Sequence, residues 1–149
     1  MKETIESSVF GLLRLNHQLV NQTTYESELE IPNHGRATVA VTAIRKSERE
    51  WYSSLCSAEE MYPKILQAER ELRLQASERI VAIHRDYWGR HWQSMPVNDL
   101  LSCLRLKHLN FFSDGTIELW YAAGEPFQHH DIRIEASHRL CITEVGIDG

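Results

Sequence analysis

Polar and apolar residues change rhythm twice along this chain. From Tyr25 to Ile31 they alternate, with Tyr25, Leu29 and Ile31 on one parity and Glu26, Glu28 and Glu30 on the other. Side chains of a strand point alternately to its two faces, so this pattern predicts a half-buried strand with an acidic outer face. Pro32-Asn33-His34-Gly35 is turn chemistry, because Pro presets φ and Gly accepts the left-handed region. Arg36 to Ile44 continues with Val39 and Val41 opposite Thr38 and Thr42, which completes a hairpin. Before it, the apolar run Val9 to Leu15 reads as a strand and the polar stretch Asn16 to Thr24 as a loop.

After Ser47 the period becomes helical. Tyr62, Ile65, Leu72, Ala76, Ile80, Ile83 and Tyr87 recur at helical spacing. Ser57-Ala58-Glu59-Glu60 fits a capping box. Glu60/Lys64 and Glu69/Arg73 are i,i+4 pairs in the favoured orientation. The expectation is one long helix ending near Tyr87, terminated by Gly89. It begins either at Ser57 or at Pro63, since a proline inside a helix removes a hydrogen bond and clashes with the preceding turn. Trp88 to Pro96 is an aromatic connection, and Asn98 or Asp99 then caps a short helix carrying Leu100, Leu101 and Leu104.

The last third alternates again. Lys107–Phe112 and Thr116–Ala122 flank Ser113-Asp114-Gly115, a hairpin signal. Gly124-Glu125-Pro126 is a further turn, Asp131–Glu135 directs Ile132 and Ile134 inward, and Arg139–Ile147 forms the last strand. The expected order is three strands, a long helix, a short helix and four strands. Short turns pair strands antiparallel. The predicted class is therefore α+β, an antiparallel sheet of N-terminal and C-terminal strands with one long helix packed across it. At 149 residues the chain is one domain, 1–149.

Charge narrows the function classes. Lys plus Arg total 16 against 21 Asp plus Glu, a formal net charge of −5. Duplex-DNA binders draw much of their affinity from basic residues on phosphates, so nucleic acid is not the expected partner. Cys56, Cys103 and Cys141 are odd in number and widely spaced. They fit neither a disulfide framework nor a zinc ribbon, and read as reduced thiols serving as small apolar residues in a reducing, cytoplasmic compartment. No apolar stretch is long enough to span a membrane, and the N-terminus does not read as a signal peptide.

Four constellations carry candidate chemistry. His129-His130-Asp131 offers metal-ligand or acid/base groups, although neighbours in a strand face opposite ways. His84, Asp86 and His91 are spaced too widely to share an ion on a straight helix, unlike the i,i+4 pair of zinc-binding helices. Trp88, Trp92 and Trp120, with Tyr87 and Tyr121, form either helix-to-sheet packing or a partner surface. Glu26, Glu28 and Glu30 form either a solvated face or one that steers a basic partner. No nucleophile elbow, P-loop, dinucleotide fingerprint or paired-histidine zinc motif occurs, and neither a metal nor a cofactor is expected.

The chain resembles a bacterial domain family of unknown function. The carrying residues are Trp92, Leu104-Arg105-Leu106, Phe112 to Gly115 with Glu118 and Tyr121, Phe127 to Ile132, and Gly146 to Gly149. Phe10-Gly11 and the Tyr25–Val41 hairpin also fit, and His129 stands where the family pattern has Gly. The resemblance implies a small single-domain α+β protein and transfers no catalytic residues.

Two readings follow. The first is a small acidic protein-binding module, comparable in scale and charge to immunity proteins, with Glu26, Glu28, Glu30, Trp88 and Trp92 as partner surface. The alternative is a small-molecule or metal-dependent enzyme in which His129, His130, Asp131 and His84 converge between helix and sheet. Oligomeric state is not legible.

Overall fold

The computed structural model describes residues 2–19, 21–44, 47–89 and 95–148. Four strands come first: β1 Thr4–Ser7, β2 Gly11–Leu19, β3 Gln22–Ile31 and β4 Gly35–Ala43. Three helices follow, α1 Glu48–Gln75, α2 Ser77–Trp88 and α3 Val97–Ser102. Four more strands close the chain: β5 Arg105–Phe112, β6 Ile117–Ala122, β7 Asp131–Ala136 and β8 Ile142–Asp148. All eight lie in one sheet in sequence order, β1 to β8. The class is α+β, with a mostly antiparallel sheet and the long α1 across it.

The exception to antiparallel pairing is the seam. β4 and β5 run parallel, in register from Thr38↔His108 to Thr42↔Phe112. Two four-strand meanders thus meet along their inner edges, and the helices form the crossover that a parallel pair requires. Short turns favour antiparallel neighbours and so do not lead to this pair.

The seam is fastened at both ends by side chains. At one end the Leu106 N–H donates to His34 Nδ1 at 2.9 Å, and Arg105 reaches the His34 and Arg36 carbonyls. At the other end the Ser113 N–H donates to the Thr42 carbonyl and the Ile44 N–H to Ser113 Oγ, both at 2.9 Å. Between them Thr42 Oγ1 donates to Asn110 Oδ1 and lies 3.0 Å from Thr24 Oγ1.

The helix begins earlier than its capping box suggests. Ser47, not Ser57, is the N-cap, its Oγ accepting from the Glu50 N–H at 3.1 Å. Ser57 is exposed in mid-helix, and Pro63 lies within α1 rather than at its start. Trp51, Leu55 and Ala58 extend the apolar stripe of Ile65, Leu72, Ala76 and Ile80 toward the N-terminus, and that burial draws the first ten residues into the helix. The expected single helix is two, because Ala76 interrupts between Gln75 and Ser77. Ile80 is fully buried and Ile83 partly so, whereas Tyr87 is 66% exposed and leaves the core.

Other expectations are corrected at element ends. The supposed loop over Asn16–Thr24 is largely strand: β2 continues to Leu19 and β3 starts at Gln22, with His17↔Thr24 and Leu19↔Gln22 in register. Cross-strand pairing has overridden local polarity there. β1, absent from the sequence reading, forms the sheet edge beyond β2. α3 is preceded by Pro96 and has no side-chain cap, with Asn98 and Asp99 inside its first turn. Leu104 is buried just beyond α3, and β8 starts at Ile142, not Arg139.

One face of the sheet builds the core. Tyr25, Val39, Val41, Leu109, Leu119 and Ile134 are buried there against α1 and α2. Aromatic contacts lock the layers, with Tyr25 against Trp51 at 4.5 Å and Phe10 edge-on to Tyr62 at 5.2 Å.

Candidate functional site

The opposite face of the sheet carries no helix among the described residues. Cross-strand register runs Glu26↔Ala40↔Asn110↔Glu118↔Glu135↔Glu144 from β3 to β8. Next to it runs Glu28↔Thr38↔His108↔Trp120↔Arg133↔Gly146. Glu118, Glu135 and Glu144 therefore stand side by side on adjacent strands. Like charges directly opposite one another are destabilising, so the sequence maintains this row at a cost to the fold.

Arg133 offsets part of that cost. Its guanidinium contacts Glu135 Oε2 at 3.0 Å, Glu144 Oε1 at 2.9 Å and Asp148 Oδ2 at 3.7 Å, and lies 5.7 Å over the Trp120 ring. Gly146 lies opposite Arg133 on β8. Burial works against the Arg133 charge, but Glu144, Glu118 and Glu135 more than offset it and hold the group above its ordinary range. Trp120 is half-buried and donates its indole N–H to Glu118 Oε2 at 2.8 Å. A cavity of about 350 Å³ adjoins the ring, lined by Lys107, His108, Asn110, Glu118, Trp120 and Asp131. Burial, and secondarily the Lys107 charge, lowers the affinity of His108 for its proton.

Glu26, Glu28 and Glu30 belong to this same bare face, on the other side of the seam. Glu28 and Glu30 are exposed and Glu26 is half-buried. Their charge is partly spent, since Glu28 pairs with Arg36 at 2.6 Å and Glu26 accepts from Asn16 Nδ2 at 3.0 Å. The denser acidic row of β6–β8 is the one the sequence reading missed. Its signal was the parity opposite Ile117, Leu119, Ile132 and Ile134, read only for its buried half.

The histidine candidates divide. His84 is buried on α2, edge-on to Phe127 at 5.2 Å and 6.3 Å from Trp88. His130 packs on the same Trp88 at 5.3 Å, and its Nδ1 lies 3.0 Å from the Phe127 carbonyl oxygen of its own turn. The two rings thus share the walls Trp88 and Phe127. His129 is exposed, with φ 61°. Asp131 lies apart, paired with Lys107 at 2.5 Å. Among the described residues no group of three or more His, Cys, Asp or Glu side chains is placed to hold one metal ion. Of the aromatic set, Trp88 and Tyr121 are buried; Trp92 and His91 lie outside the described residues.

The expected Glu69/Arg73 pair forms, and it belongs to a buried polar cluster that the sequence reading missed. Glu69, on the apolar stripe of α1, accepts from the Tyr121 hydroxyl at 2.7 Å and pairs with Arg73 Nε at 2.8 Å. Its other oxygen lies 3.1 Å from His34 Nε2. Because His34 Nδ1 accepts from Leu106, a neutral ring carries its proton on Nε2, facing the carboxylate. Burial, then the Glu69 charge, raises the Tyr121 phenol well above its ordinary range, with Arg73 opposing. The cluster joins β4's turn, α1, β5 and β6. The signal was positional: Glu69 stands four residues after Ile65 and three before Leu72, where an apolar residue belongs.

Comparison of the chain with family models, curated proteins and solved structures returns no match. No described helix is long and apolar enough to cross a membrane.

Proposed function

We propose that this chain is a small acidic protein-binding module whose bare sheet face receives a cationic protein. The observation that carries the reading is the row Glu118–Glu135–Glu144 beside the half-exposed Trp120. Three carboxylates that share the single Arg133 gain from a partner's Lys or Arg, and a half-exposed tryptophan is a frequent interface anchor. Cys56 and Cys141 are exposed, so they do not serve as the small apolar residues expected of them. In the immunity-like form of this reading the partner is a basic toxin, and co-expression protects cells from it.

The test is affinity capture from source cells with wild-type protein, with a face variant carrying Glu118→Lys and Glu144→Lys, and with Tyr87→Ala on the helix side. A protein retained by wild type and Tyr87→Ala, lost by the face variant and released by salt, supports the reading. Retention that is equal across all three, or indifferent to salt, overturns it.

A further inference from the structure

We propose that the groove between α1 and the β5–β6 turn is a binding site for a small amphipathic amine, separate from the partner face. The groove encloses about 360 Å³, within the size range of small-molecule sites. α1 contributes Ser54, Ser57, Ala58 and Met61, a spacing that places them on one helical stripe. Phe111 and Ile117 of the sheet, both buried, supply apolar surface across from Ala58 and Met61.

The rim is acidic. Glu60 and Asp114 line this groove, and a neighbouring cavity of about 470 Å³ shares Ser54, Ser113 and Asp114 and adds Glu50. Among the described residues no Lys or Arg lines either cavity, and His138 is the basic side chain there. The Asp114 carboxylate is positioned by its own turn, Oδ1 accepting the Thr116 N–H at 2.9 Å. Two of the hydroxyls are already committed: Ser113 Oγ accepts from the Ile44 N–H, and Ser54 Oγ donates to the Glu50 carbonyl. The Ser57 hydroxyl makes no hydrogen bond among the described residues.

His138 also lines the groove. Gly115 in the turn beside it has φ +91°, which glycine adopts at no steric cost. An apolar floor under an acidic rim selects a ligand with an apolar stem and a positively charged head. An anion of the same shape meets the carboxylates with the wrong sign.

Phenethylamine is the probe and phenylacetate its control of opposite charge, titrated calorimetrically into the whole chain. The expected result is saturable one-to-one binding of phenethylamine with Kd at or below about 1 mM, and at least about tenfold weaker binding of phenylacetate. Asp114→Asn and Glu60→Gln should each weaken the amine by about tenfold as a charge-assisted contact is lost. Met61→Trp should abolish binding by filling the groove. Should that variant fail to fold, the two isosteric variants decide. No binding, equal binding of phenylacetate, or binding indifferent to Asp114→Asn and Glu60→Gln overturns the proposal. The partner face lies on the other side of the sheet, so failure here leaves the capture experiment unaffected.

Discussion

At the scale of single residues, Glu69 is the position where a substitution is most informative. Its carboxylate is the common partner of Tyr121, Arg73 and His34. Removing one member of a buried charged cluster strands the others, which costs about 3–5 kcal/mol. Glu69→Ala is expected to lose that much in urea unfolding, while Glu69→Leu, which also suits the apolar stripe, strands the same groups and should recover little. Tyr121→Phe removes only a hydroxyl and is expected to cost about 1–2 kcal/mol. It also carries a pH signature. The folded Tyr121 holds its proton above the unfolded value of 10.0, so its contribution is complete below that pH and is lost as pH rises through the higher folded value. Wild type should lose stability above about pH 10 more steeply than Tyr121→Phe. Parallel alkaline curves would show that Tyr121 does not titrate differently in the two states.

At the scale of elements, the two serines that precede acidic residues make opposite predictions. Ser47 caps α1 through the Glu50 N–H, so Ser47→Ala should cost about 1 kcal/mol. Ser57 heads the same Ser-x-x-Glu spacing as Ser47 but lies exposed in mid-helix, so Ser57→Ala should change stability by less than about 0.5 kcal/mol. Thermal unfolding of the two variants checks the pair; the reverse order would return the helix start to Ser57. The reason Ser47 wins is packing downstream of it. Trp51, fully buried against Tyr25, and Leu55 bring apolar area to the core that a start at Ser57 would leave in water.

At the scale of the whole molecule, the parallel seam joins two meanders that are otherwise locally paired. Its contacts link residues some seventy positions apart, as in Thr42 to Asn110, and such contacts carry a loop-closure cost that the hairpins avoid. Thr42→Val keeps the shape and leaves Thr24 and Asn110 without their shared partner, with an expected loss of about 1–3 kcal/mol. Ile80→Ala opens a cavity where α2 meets the core, with an expected loss of about 2–5 kcal/mol. The two sites lie on opposite faces of the sheet, so the double variant should be additive within about 0.5 kcal/mol. Denaturant titrations of both single variants and the double check this; strong coupling would mean that seam and helix layer form one unit.

The strands with a marked hydrophobic alternation were legible from the residues alone: Tyr25–Ile31, those of the Ser113-Asp114-Gly115 hairpin, and that of Ile132 with Ile134. Alternation and turn chemistry are local, and a local signal needs no knowledge of the fold. The α+β class followed from the two changes of period. Tertiary structure decided the rest. The polar Asn16–Thr24 stretch became strand because its backbone found partners in β2 and β3. The helix start moved to Ser47 because Trp51 reaches Tyr25. Glu69 is buried because Tyr121 and His34, remote in sequence, arrive beside it, and nothing within four residues of Glu69 announces them. The acidic candidate surface was half legible: parity placed Glu26, Glu28 and Glu30 on one face, but only the sheet order set Glu118, Glu135 and Glu144 side by side. Charge on a strand is written in the sequence; which charges become neighbours is decided by register, and register depends on the strands that pair.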